Sequence, residues 1–174
     1  MTEIKNTGNE FLKTLVTNEI GGKKLAIHAY DKMMWMVRSG FLTLVFAGWS
    51  ILIKSVIDAK SDLYSITPYI YILSAFSLAL AIAGYRIDIN YAKRKFRVIA
   101  SVNRLMPLVV KFNFENIQTE EEDELVSLLK ISGDAYNDIY KGKSFNNELN
   151  VSRLIFFVPA GLILGILVFF LSLV

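Results

Sequence analysis

From Leu154 to Val174 the chain reads LIFFVPAGLILGILVFFLSLV, without one charged residue. A helix of about twenty mainly apolar residues covers the roughly 30 Å of hydrocarbon in a bilayer, and this stretch is long enough to do so. A soluble fold would have to bury every face of such a helix. Two further stretches meet the same criterion. RSGFLTLVFAGWSILIK has an uncharged core between Arg38 and Lys54, whose long side chains are expected to lay their stems along the helix and lift their charges to the interface. PYIYILSAFSLALAIAGY, from Pro68 to Tyr85, opens with a proline suited to a first helical turn. It carries Tyr69 and Tyr71 at one end and Tyr85 at the other, as an aromatic belt would. The composition agrees: 53% of the 174 residues are hydrophobic and the mean hydropathy is +0.42, above what a soluble domain usually tolerates.

The expected fold class is an all-α membrane protein with three transmembrane helices, a hairpin followed by a C-terminal span, over a small helical cytoplasmic layer. The expected segments are an N-terminal cytoplasmic helical segment at 1–32, transmembrane helix 1 at 33–57, an external loop at 58–67, transmembrane helix 2 at 68–106, a cytoplasmic helical region at 107–152 and transmembrane helix 3 at 153–174. Orientation follows from the basic residues, which favour the cytoplasmic side. Residues 1–38 hold Lys5, Lys13, Lys23, Lys24, Lys32 and Arg38, and eleven more Lys and Arg lie in 86–153, whereas the hairpin side has Lys54 and Lys60. The N-terminus is therefore expected in the cytoplasm and the C-terminus outside. The opening MTEIKNTGNEFLKT is polar and lacks the apolar core of a secretory signal.

The second span is expected to continue beyond Tyr85 into the cytoplasm as one helix. No breaker separates Tyr85 from Met106, and Ile89, Ala92, Phe96, Ile99, Asn103 and Met106 recur at helical spacing, with Val102 and Leu105 widening the stripe. The helix is expected to stop near Pro107. Its extension is densely basic, with Arg86, Lys93, Arg94, Lys95, Arg97 and Arg104 around the junction and Tyr91 and Phe96 interleaved. Such a collar can contact anionic lipid. It can equally grip the phosphates of a nucleotide or short oligonucleotide, with aromatics available to stack on bases, and the case strengthens if several subunits surround an axis.

Each hairpin helix also carries a seam unsuited to lipid. Gly40, Thr43, Ala47, Ser50 and Lys54 fall at offsets of three, seven, ten and fourteen, and Ser74, Ser77, Ala81, Gly84 and Asp88 repeat the pattern. Small residues let helices pack closely within a bilayer, and hydroxyls can also line a hydrated path; one seam can serve each purpose. Gly161 and Gly165 give the last span a further small-residue pair, and Pro159 is a candidate kink. These features lead to the expectation of a homo-oligomer.

After Pro107, LVVKFNFENIQ suits a short strand or connector, Thr119 and Glu122 fit a capping box, and Leu125, Leu128, Leu129 and Ile131 give the following helix its apolar face. Gly133 is its stop and Asp134 the cap of a further helix to Tyr140, after which KGKSFNNELN is expected to loop back to the membrane. A separate N-terminal helix is expected from Glu10 to Glu19, with GGKK at Gly21 to Lys24 a turn behind it. GGKK lacks the strand, the glycine spacing and the hydroxyl residue of a phosphate loop. With no cysteine and His28 as the only histidine, thiolate and paired-histidine metal sites are excluded. No catalytic residues, no metal and no cofactor are expected, and the chain is not expected to be an enzyme.

The layout resembles the small SLATT-type membrane effectors of bacterial anti-phage systems. The resemblance rests on YDKMMWMVRSGFLTLVFAGW and YRIDINYAKRKFRVIASVN, within residues 30–104, and on the hairpin followed by a basic helix; the third span departs from the plainest two-span pattern. It implies a multi-pass protein of the bacterial inner membrane, working in anti-phage defence and nucleotide signalling. It implies an oligomeric ion channel, a tetramer being one candidate, controlled by a nucleotide or short single-stranded DNA that a partner nucleotidyltransferase supplies. The ligand would bind Lys93, Arg94, Lys95, Arg97 and Arg104. The competing expectation is a non-conducting membrane anchor that recruits a cytoplasmic protein.

Overall fold

The computed structural model describes residues 2–59, 63–111 and 142–172. These form three helices: α1 (Thr2–Ala59), α2 (Leu63–Lys111) and α3 (Lys143–Leu171). Each contains a stretch long and apolar enough to cross a membrane, the build of a membrane protein. The strand or connector after Pro107, the capping box at Thr119 and the helices to Tyr140 lie outside the described residues.

The helices run further than their sequence signals suggest. Gly21 and Gly22 do not open a turn: α1 is one helix of 58 residues. Each glycine costs about 1 kcal/mol relative to alanine in a helix interior, but two such costs are small beside the propagation of so long a helix. Next to them Lys23 is 4% exposed and pairs with Glu19 one turn away, at 3.1 Å. The loop expected over 58–67 is largely helical, since α1 reaches Ala59 and α2 starts at Leu63. Pro68 therefore stands in the second turn of α2 rather than at its start. Nor does Pro107 end α2, which continues to Lys111; a proline forfeits one helical amide and crowds the turn before it without forcing the chain out of the helix. KGKSFNNELN is likewise helical from Lys143, where the amide of Phe145 donates to the carbonyl of Gly142 at 3.1 Å in a tightened first turn.

The chain divides into two compact units. One comprises residues 1–32 and 91–145, the other 33–90 and 146–174. In the first, Val16, Ala92, Phe96, Val98, Val102 and Leu105 are buried. The stripe expected on this part of α2 is displaced: Asn103 and Met106 are exposed, and Val98 and Ser101 are buried instead. Tyr30 and Tyr91 meet with ring centroids 6.3 Å apart, and Phe96 and Phe145 meet edge to face at 5.1 Å.

The second unit is a three-helix bundle. Its core is Phe41 and Val45 from α1, Ala81 from α2, and Phe156, Ala160 and Ile163 from α3. The Phe41 and Phe156 rings lie 4.9 Å apart, and Tyr85 reaches both Phe156 and Phe157, at 6.3 and 4.6 Å. Gly84 makes this packing possible, because a β-carbon there would stand 2.5 Å from Phe156 Cε1. Further along, Trp49 Nε1 donates to Ser77 Oγ at 3.3 Å. Beyond that contact α1 and α2 enclose a cleft of about 700 Å³ that includes Gly48, Leu52, Leu73 and Phe76. A smaller one, about 340 Å³, lies between α1 and α3 beside Trp49 and Pro159.

Candidate functional site

A charged cluster joins all three helices of the bundle. Arg38 on α1 donates from Nε to both carboxylate oxygens of Asp88 on α2, at 3.0 and 3.1 Å, and from Nη2 to Asp88 Oδ2 at 2.9 Å. The same Nη2 donates to Glu148 Oε1 on α3 at 2.7 Å. Asp88 is wholly buried, the Arg38 side chain is 5% exposed and that of Glu148 18%. Arg38 was expected to lift its charge to the interface. It turns inward instead, because a carboxylate waits on the buried face of α2 and the planar guanidinium fork can address two acceptors together.

This cluster is the part of the site that sequence reasoning missed. Its signal was present: Asp88 extends the series Ser74, Ser77, Ala81 and Gly84, so it shares their face, and Arg38 interrupts an apolar run. Ionisable groups within membrane spans are costly and face the protein interior with a partner. The two carboxylates are both engaged by Arg38, and the described residues contain no group of three or more His, Cys, Asp or Glu able to hold a metal. His28 is exposed.

The two small-residue seams have opposite fates. On α2, Ser74, Ser77, Ala81 and Gly84 are buried inside the bundle. Gly40, Thr43, Ala47 and Ser50 on α1 are exposed. At 100° per residue they lie about 180° around the helix from Met34, Arg38, Phe41 and Val45, which are buried. Gly161 and Gly165 are also exposed, on the side of α3 away from Ser152, Phe156, Ala160 and Ile163. Neither has an atom within 4 Å of an added β-carbon.

The five basic residues of α2 belong to the other unit and do not share one face. Lys93, Arg97 and Arg104 fall within about 40° of one another around the helix, Arg94 lies about 100° from Lys93, and Lys95 about 160°. Lys93 and Arg104 are exposed. Lys95 points to α1, where its Nζ donates to Asp31 Oδ1 at 2.6 Å and stands 5.3 Å from the Phe96 ring centroid. Around α2, Lys93, Arg97 and Arg104 form a stripe in which Lys93 and Arg104 are exposed and Arg97 is half-buried, with half-buried Arg94 beside it, while Lys95 pairs with Asp31.

Three membrane-length helices, the elements formed by the described residues, joined by an ion cluster, are the class that fold and site define. No known protein family, curated protein or solved structure matches the chain.

Proposed function

We propose that this chain is a non-enzymatic subunit of a homo-oligomeric membrane channel, gated by an anionic nucleotide or oligonucleotide at the basic face of α2. The observation that carries the reading is the polar face of α1. Gly40, Thr43, Ala47 and Ser50 are turned away from the chain's own core, on a helix that is otherwise apolar and long enough to span a bilayer. Set around an axis in several copies, that face would give water and ions a lining of small side chains and hydroxyls. The stripe of Lys93, Arg97 and Arg104, with Arg94 beside it, would meet the phosphates of the ligand, and repetition by symmetry would concentrate the positive field. The ligand must bind open and closed assemblies unequally, since equal affinity shifts nothing. The resemblance to SLATT-type effectors, the channel component of the Hailong system among them, supports placing this activity in the bacterial inner membrane and in anti-phage defence.

Purified protein in planar bilayers is expected to conduct, and the current is expected to respond to nucleotides or short single-stranded DNA. Replacing Lys93, Arg94, Arg97 and Arg104 with glutamine removes that response and the salt-sensitive binding of labelled oligonucleotide. A detergent-solubilised particle of monomer mass overturns the proposal, because neither a shared path nor a ring of charge can then exist. An assembled but electrically silent particle also overturns it, in favour of the anchor that recruits a cytoplasmic protein.

A further inference from the structure

The cleft of about 700 Å³ between α1 and α2 takes no part in the channel reading, and its lining is graded from one end to the other. Gly48, Leu52, Ile66 and Leu73 form a floor that is buried or half-buried, and Ile51, Ile72 and Phe76 form exposed walls. At one end the groove is shut. A β-carbon on Gly48 would stand 3.0 Å from Leu73 Cδ1, and just past that contact Trp49 donates to Ser77. Towards the hairpin connection the lining turns polar, with Ser55 and Ser65 near the ends of their helices and Tyr69 beside them. Ser55 gives its proton to the Ile51 carbonyl at 2.9 Å, while the exposed Tyr69 brings a phenol O–H. Among the described residues no charged side chain lines the cleft, and all of its lining lies within stretches long and apolar enough to cross a membrane.

We infer that one acyl chain of a glycerophospholipid occupies this cleft, with its methyl end at Gly48 and Leu73 and its ester end beside Tyr69. In a bilayer the groove must be filled, because an empty one forfeits dispersion contacts along every wall. Hydrocarbon gains nothing merely by exchanging other lipid for an apolar wall. Preference therefore comes from that filling and from the Tyr69 hydroxyl donating to the ester carbonyl. The volume falls within the range of about 300–1,000 Å³ that encloses one small ligand. A tyrosine at the mouth also matches the interfacial depth at which lipid esters lie. The helix of a second copy is the poorer occupant: with its side chains it is about 10–12 Å across and would have to pass the shut end, whereas a flexible chain can terminate there. The site is independent of channel activity, since an electrically silent particle would hold the same chain.

The test is photolabelling of the full chain in dioleoylphosphatidylcholine vesicles that hold a trace of phosphatidylcholine with a diazirine at its acyl terminus, followed by peptide mapping. Leu73 and Phe76 are expected to be labelled about fivefold more than Leu164 and Val168, which are exposed on α3 outside the cleft, since one added hydrogen bond is worth about that factor. Tyr69→Phe brings that excess down towards parity. Leu52→Trp fills the floor and abolishes it, whereas Ile82→Trp, exposed on α2 away from the cleft, leaves it unchanged. Helical circular dichroism and the elution volume confirm that each variant is folded; if Leu52→Trp is not, Ser55→Trp at the exposed mouth takes its place. Equal labelling of cleft and α3 in the native chain overturns the inference, as does an unchanged excess in any folded cleft variant or an equal loss in Ile82→Trp. Labelling of the cleft below that of α3 also overturns it, in favour of a second copy's helix in the groove.

Discussion

Removing Asp88 should damage the bundle far more than removing Glu148, although both carboxylates accept from Arg38. Asp88 takes three of the four contacts, at 3.0, 3.1 and 2.9 Å, and is fully buried; Glu148 takes one, at 2.7 Å, and keeps 18% of its side chain exposed. Asp88→Asn leaves a buried guanidinium short of its main counter-charge, a kind of loss that costs about 3–5 kcal/mol. Glu148→Gln keeps an oxygen that can accept from Arg38 and removes only the charge at a partly exposed position, a loss of about 1 kcal/mol. The triple change Arg38→Met, Asp88→Leu, Glu148→Gln deletes the whole cluster rather than orphaning one member, and should be more stable than Asp88→Asn alone, because a buried ion cluster can often be replaced by apolar groups at little cost. Denaturant unfolding in detergent, followed by circular dichroism, provides the ranking, and a double-mutant cycle between Arg38 and Asp88 isolates their coupling. If Asp88→Asn costs no more than Glu148→Gln, or if the triple variant is the least stable of all, Arg38 is not buried between these acceptors and the assigned role of the cluster is wrong.

Gly84→Ala should destabilise the bundle by about 1–3 kcal/mol, since the new methyl would press on the fully buried Phe156 ring; Gly161→Ala, which meets nothing within 4 Å, should leave a single chain at least as stable, and equal losses in the two would refute this packing. Gly21→Ala and Gly22→Ala should each stabilise α1 by about 1 kcal/mol, seen as greater helicity and slower amide exchange around Lys23; greater protease sensitivity there would mean that a flexible turn had been needed after all.

What the sequence made legible was whatever is local. Apolar length announced three helices able to cross a membrane, and the lack of a breaker after Tyr85 announced that α2 continues. Helix ends were harder, because glycine, proline and polar runs shift local preference by amounts that a long helix and its neighbours override, as at Gly21, Pro107 and Lys143. The pairing of Arg38 with Asp88 and Glu148 spans 50 and 110 positions, and no periodicity within one helix reports it. The seams show the same limit. Gly40 to Ser50 and Ser74 to Gly84 share one spacing, yet one turns outward and the other inward. That difference is fixed by where the bulky Phe41 and Phe156 meet, and helix-wheel symmetry contains nothing about it.

The bundle is also mechanically lopsided. At the Arg38 end three helices are clamped by charge and by interlocked rings, while beside Gly48 and Leu52 on α1 and Leu73 and Phe76 on α2 the two helices flank an open, mostly apolar cleft. Sparse packing forfeits dispersion contacts and so yields at lower force than a close-packed region. A force that separates the helices would therefore open the cleft before it opened the Arg38 end.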